Sequence, residues 1–201
     1  MRAIKVILPL AITAVGAIAA GVAALSKKTA PAAAAKPAKN ATQAPTGPQA
    51  EGVYSFISGF QDAAPVELKL RYFPESMDFT VVSEDFLCYS GASHVALLHA
   101  EDFDMQIEYA PYYAGEDFAI YSKGVEQKFG GVSPVKYAAL EGIRYRDGDA
   151  MCLCFPIPED AFSYVQFILF KRGDDDQPLE ALPESPAVTA LMDSVVIERK
   201  A

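Results

Sequence analysis

The segment Tyr164 to Phe170 is apolar on both of its alternating faces, with Val165, Phe167 and Leu169 on one side and Ile168 and Phe170 on the other. Successive side chains of a strand point to opposite faces of a sheet. A run like this therefore predicts a central antiparallel strand with cover on both sides, and the rest of the domain must supply the covering layers. Val66, Leu68, Leu70 and Tyr72 alternate with Glu67, Lys69 and Arg71, a period-two strand signal. Phe79 and Val81 begin a short strand after the turn-like Pro74-Glu75-Ser76. Val95 and Leu97, then Met105, Ile107 and Tyr109, give two more around the acidic turn Glu101-Asp102, with Asp104, Gln106 and Glu108 facing water or a covering loop. Strands from Lys136 to Leu140, Gly142 to Arg146, Met151 to Ile157 and Tyr164 to Arg172 read as a meander, with turns at Asp147-Gly148-Asp149 and Pro158-Glu159-Asp160.

Between these strands the period changes. Phe118, Tyr121, Val125 and Phe129 form one stripe of a helix predicted from Glu116 to Phe129, with Glu116 and Asp117 in its first turn, Lys128 in its last and Gly130-Gly131 ending it. Gly173 to Pro183 reads as a polar, acidic loop. Ser185 then caps a final helix with Pro186 at its first position and Val188, Leu191 and Met192 on its apolar face, and Val195 to Ile197 closes as a strand.

These elements fall in a recognisable order. Phe79-Thr80-Val81-Val82 after a proline is followed by two strands, one helix around Tyr121-Ser122-Lys123, the stretch Leu140-Glu141-Gly142-Ile143-Arg144-Tyr145, and two long strands. A terminal helix then ends Leu191-Met192-Asp193-Ser194-Val195-Val196. From about Phe79 to Glu198 this order resembles the PsbP/Mog1-like fold. The resemblance implies an α-β-α sandwich of the kind found in bacteria as anchored or secreted modules of unassigned role. Families sharing that fold include a photosystem assembly subunit and a nuclear transport factor, so it implies no single function and carries over no functional residue.

Ahead of the domain, Val6 to Leu25 is an uncharged apolar run broken only by Pro9 and Thr13, with Arg2 and Lys5 before it and Lys27 and Lys28 after it. About 20 apolar residues are needed to cross a ~30 Å hydrocarbon core as helix. The run predicts a membrane anchor built on Val6, Ile7, Leu8, Leu10, Ile12, Val15, Ile18, Val22 and Leu25; a cleaved signal peptide is the alternative. The short basic front end points to export of the domain. Ser26 to Ala50 is rich in Ala, Pro and Lys, lacks aromatic and large apolar residues, and reads as an extended tether. The domain plan is thus an anchor or signal over 1–26, a disordered linker over 27–50 and an acidic domain over 51–201. The expected fold class is α+β, a mainly antiparallel sheet with helices packed on it, preceded by one transmembrane helix and the Pro/Ala/Lys linker.

Charge narrows the partners. All 26 acidic residues lie from Glu51 onward and six of the 17 basic ones lie before it, so the domain carries 11 basic against 26 acidic residues, a net charge of −15. Its field repels phosphate, which argues against nucleic acid and favours basic partners or cations. His94 and His99, five residues apart on a strand, point to opposite faces and do not form a metal pair. Cys152 and Cys154 share a strand face at about 6.5–7 Å, at or beyond disulfide reach, and read as small buried residues, with a redox or metal pair as the alternative; with Cys88 the count is odd, which argues against a disulfide framework. Glu101 to Asp104, Asp147 to Asp149 and Asp174 to Asp176 lack calcium-loop spacing, and Ser58 and Ser90 precede glycine in turn-like settings without a nucleophile motif. No catalytic, metal or cofactor-binding residue is expected. Tyr109, Tyr112 and Tyr113, around Pro111 and before the first domain helix, form a candidate partner surface, because tyrosine gives amphipathic contact area at low entropic cost.

The expectation that follows is a membrane-tethered extracytoplasmic, non-catalytic binding or assembly module. Its partners are the lipid bilayer through the N-terminal helix and possible envelope proteins, without nucleic acid or cofactor. The alternatives are a secreted or anchored envelope hydrolase with its site in the acidic loops, and a cation-responsive domain.

Overall fold

The two-faced apolar segment is the middle strand of a seven-stranded antiparallel sheet. A computed structural model describes residues 45–56, 65–82, 95–112, 116–161, 163–173 and 177–200. In chain order the strands are β1 (Ala50–Phe56), β2 (Val66–Tyr72), β3 (Met77–Val82), β4 (Val95–Ala100), β5 (Phe103–Pro111), β6 (Ser133–Tyr137), β7 (Leu140–Asp147), β8 (Ala150–Pro156), β9 (Ser163–Lys171) and β10 (Val196–Arg199). Two α-helices, α1 (Phe118–Phe129) and α2 (Pro186–Asp193), and a 3₁₀ helix, Leu179–Glu184, complete the described elements. The large sheet runs β3-β4-β5-β9-β8-β7-β6, and a three-stranded sheet runs β1-β2-β10. Every pairing is antiparallel.

Each face of the large sheet has its own cover. On one face Leu98, Phe103, Met105, Ile107, Leu153, Phe155, Phe167 and Leu169 are buried with Tyr54, Phe56, Leu68 and Leu70 of the small sheet and with Val188, Leu191 and Met192 of α2. Phe155 and Phe167 meet edge to face at 5.8 Å. On the other face Ile143, Tyr145, Cys152, Cys154, Tyr164 and Ile168 lie with Val125 of α1, and Phe118, Tyr121 and Phe129 of the same helix pack against them. Leu153 and Phe167 on one face and Cys154 on the other are fully buried, so the central strands are shielded on both sides.

Local signals explain several boundaries. The Asp117 side chain accepts a hydrogen bond from the Ile120 backbone N–H at 2.8 Å and so begins α1. Asp117 is therefore the cap, and neither it nor Glu116 lies in the first turn. Gly130, at φ 65°, ends the helix and donates its N–H to the Glu126 carbonyl. Ser185 caps α2 through Val188 N–H, with Pro186 in the first turn. Gly142 sits where a Cβ would lie 2.0 Å from the Cys154 carbonyl oxygen and 2.7 Å from Phe155, which leaves no room for a side chain.

The expected fold class is corrected in two respects. Strand takes up 53% and helix 20% of the described residues, so the domain is dominated by sheet, and one face of the large sheet is covered largely by a second sheet. No described helix is long and apolar enough to cross a membrane; α1 and α2 have 12 and 8 residues, or about 18 and 12 Å at 1.5 Å per residue. The anchor expected over Val6, Ile7, Leu8, Leu10, Ile12, Val15, Ile18, Val22 and Leu25 lies outside the described residues. Three further readings change. β1 begins within the predicted linker. The strand predicted from Lys136 to Leu140 is broken by a hairpin turn at Ala138 and Ala139: Lys136 and Tyr137 end β6, and Leu140, paired with Tyr137, begins β7. The acidic loop before α2 contains the 3₁₀ helix.

Candidate functional site

The face under α1 holds the densest group of polar side chains. Strand alternation puts Gln106 and Glu108 of β5, Gln166 of β9 and Cys152 and Cys154 of β8 on it, and the register sets Glu108 opposite Gln166 and Gln166 opposite Cys154. Gln106, Glu108 and Gln166 are buried, where the first two were expected to face water or a covering loop. Gln106 Nε2 donates to Glu108 Oε2 at 3.2 Å, and Gln166 Nε2 donates to Tyr145 Oη at 3.5 Å. Tyr121 Oη, from α1, lies 3.5 Å from both Tyr145 Oη and Cys154 Sγ. Around this network Tyr121 packs on Tyr164 with ring centres 4.3 Å apart, and Tyr112 on Tyr164 at 5.2 Å. Gln106 Oε1 and Tyr112 Oη are buried without a hydrogen-bond partner.

Electrostatics make this layer chemically quiet. Burial pushes the Cys152 thiol up to about 12 and raises Cys154 further. The Tyr121, Tyr145, Tyr164 and Tyr112 phenols are raised for the same reason. A thiol acts as a nucleophile or soft metal ligand through its thiolate, and these thiols stay protonated at neutral pH. Both cysteines are free and buried.

A second region is open. A depression of about 450 Å³ is lined along one side by five consecutive residues, Pro134 to Ala138, at the β6 edge of the large sheet, and along the other by Thr189 and Asp193, one turn apart on α2, with Arg144, Pro183 and Glu184 completing it. Tyr137 Oη donates to the Pro183 carbonyl at 2.8 Å, tying β6 to the end of the 3₁₀ helix, and burial lifts this phenol to about 12. Arg144 donates through Nε to Ser133 Oγ and through Nη1 to Glu184 Oε1, at 3.1 and 2.8 Å. Asp193 Oδ1 accepts the Ala138 backbone N–H at 2.9 Å. Lys136 is paired with Glu141.

The residues singled out by sequence fall in different places. Tyr109 is buried, 6% exposed, and stacks on Phe56 at 4.9 Å, so it belongs to the core and presents no surface to a partner. Tyr112 is half-buried over Tyr164, and Tyr113 lies outside the described residues. The three therefore do not form one exposed patch among the described residues. His99 Nδ1 lies 2.7 Å from Asp104 Oδ1 across β4 and β5, and Arg172 reaches the same carboxylate at 3.4 Å. This places the Glu101 to Asp104 cluster in an ion-paired turn. Asp147 is raised by burial, and its hairpin is closed by Arg146 Nε donating to the Gly148 carbonyl at 2.8 Å. His94, Cys88, Ser58, Ser90 and Asp174 to Asp176 lie outside the described residues. Among the described residues no group of three or more His, Cys, Asp or Glu side chains is placed to hold a metal ion.

Sequence reasoning did not find the depression, because it joins residues 134–138 to residues 183–193 across about 50 positions and neither stretch carries a motif. No family model, curated protein or solved structure matches the chain. The functional reading therefore rests on the residues and their geometry.

Proposed function

We propose that the chain is a non-catalytic binding or assembly module that acts on the outer side of the cytoplasmic membrane, with another envelope component as its partner. One observation carries this reading. The two described cysteines, Cys152 and Cys154, are turned inward and held protonated, whereas the open depression runs along a sheet edge and is lined by groups suited to holding a chain. Backbone at a sheet edge recognises extended segments through main-chain hydrogen bonds. Export is supported by the basic start and the apolar run Val6 to Leu25, and the resemblance to PsbP/Mog1-like modules is in keeping with such an address.

Two measurements test the proposal. Protease added to intact cells or spheroplasts, with the domain followed by a C-terminal tag, should digest it from outside; a protected domain overturns the address. The purified protein mixed with isolated envelope should bind saturably and release no soluble product. Product release would overturn the non-catalytic reading in favour of a hydrolase.

A further inference from the structure

Building on the binding-module reading, we propose that the depression between β6 and α2 takes a short, extended, lysine- or arginine-bearing segment of a partner protein, added as a strand to the edge of the large sheet. β6 is the last strand of the seven, and among the described residues only β7 pairs with it. Its hydrogen-bonding phase follows from the hairpin. Tyr137 and Leu140 close a two-residue turn, and Val135 and Ser133 pair with Gly142 and Arg144. In antiparallel pairing, hydrogen-bonded and non-hydrogen-bonded residues alternate. Tyr137, Val135 and Ser133 therefore bond to β7, while Pro134 and Lys136 turn their backbone groups outward.

That edge offers a defined set of groups to an incoming strand. Pro134 has no N–H, so it presents only its carbonyl, and Lys136 presents one N–H and one carbonyl. The next donor, Ala138 N–H, is already taken by Asp193. Two acceptors and one donor fit a segment of a few residues that supplies two N–H groups and therefore lacks proline at those positions. Edge prolines and lysines usually discourage open-ended pairing between sheets. Here they shorten the edge to one docking length, and α2 walls it on the far side.

Charge selects the occupant. The two cations of the depression are engaged, Arg144 with Glu184 and Lys136 with Glu141. Asp193 makes no ion pair among the described residues and uses one oxygen for the Ala138 N–H. The domain around it carries a net charge of −15. An acidic segment is repelled by this field and a basic one is drawn in, with its cationic side chain meeting Asp193.

The experiment uses fluorescent heptapeptides of alternating valine and lysine with the full chain, read by anisotropy, beside a valine–glutamate peptide and a valine–lysine peptide with two internal prolines. The valine–lysine peptide should bind, more weakly as salt is raised, and the other two should not. Thr189→Arg fills the depression from a half-buried position of α2 that lines it, and Asp193→Asn removes charge while keeping an acceptor for Ala138 N–H; each should weaken binding by about tenfold or more with an unchanged melting temperature. Failure of the valine–lysine peptide to bind, or equal binding of the acidic or proline peptide, overturns the inference. Binding that persists in both variants also overturns it, by placing the basic segment elsewhere on the domain; the binding-module reading would then stand, since the envelope assay judges that reading separately.

Discussion

The two faces of the large sheet are built from the same strands and differ in chemistry. Toward the small sheet and α2, β9 contributes Val165, Phe167 and Leu169, each fully buried among hydrocarbon and aromatic side chains. Toward α1, the alternate residues of the same strand are Tyr164, Gln166 and Ile168, which meet tyrosines, thiols and amides. Two layers of different origin account for this. The small sheet brings wide, continuous apolar area, whereas α1 offers a single stripe in which only Val125 is buried outright. Stability resides mainly on the first face, where apolar burial is largest, and α1 is the more readily opened layer.

The largest test of that contrast is Phe167→Ala, which removes a fully buried ring and should cost about 3–5 kcal/mol in denaturant unfolding. A cost no greater than that of Tyr121→Ala on the α1 face would break the comparison. Gly142→Ala is next. The new methyl group would strike the Cys154 carbonyl and the Phe155 ring, so β7 and β8 must part, at about 2 kcal/mol. Two hydroxyl deletions sharpen the contrast further. Tyr137→Phe strands the buried Pro183 carbonyl and should cost about 1–2 kcal/mol, whereas Tyr112→Phe removes a buried hydroxyl without a partner and should leave stability unchanged or raise it by up to about 1 kcal/mol. Equal losses in the pair would show that Tyr112 Oη has a bonding role.

The smallest effect is electrostatic and belongs to the outer face of the small sheet. Hydrogen bonding to Lys200 is the main reason that Glu67 lies below its ordinary value of 4.5, and Lys69 adds to it. A depressed carboxyl contributes stability above its unfolded value, and this is lost as the pH falls from about 4.5 through the folded value. Thermal melts of Glu67→Gln and the parent protein should therefore differ slightly at pH 7 and converge as the pH falls through the depressed folded value, the difference shrinking in high salt. A gap that widens on acidification would contradict the pairing.

Much of the local structure was legible. The alternation through Val66 to Tyr72, the helical stripe from Phe118 to Phe129 and the Ser185-Pro186 start of α2 are all short-range signals, and each element stands where its signal lies. The hairpin at Ala138 and Ala139 was missed because small alanines carry no turn signature, and β1 because Ala50 shares the linker's composition and Gly52 weakens a strand signal. The depression had no local trace at all. Its Tyr137–Pro183 and Ala138–Asp193 contacts join segments about 50 residues apart.

By itself the sequence determined that β9 must be central, because a strand apolar on both faces is stable only when both are covered. It also determined the net charge of the domain. Only the tertiary structure decided which layer covers which face, because burial depends on what arrives from elsewhere in the chain while alternation merely separates two sides. That is why Tyr109, a surface candidate in sequence, lies stacked on Phe56 in the core, and why four residues of β6, with Ala138 of the following turn, border an open depression beside α2.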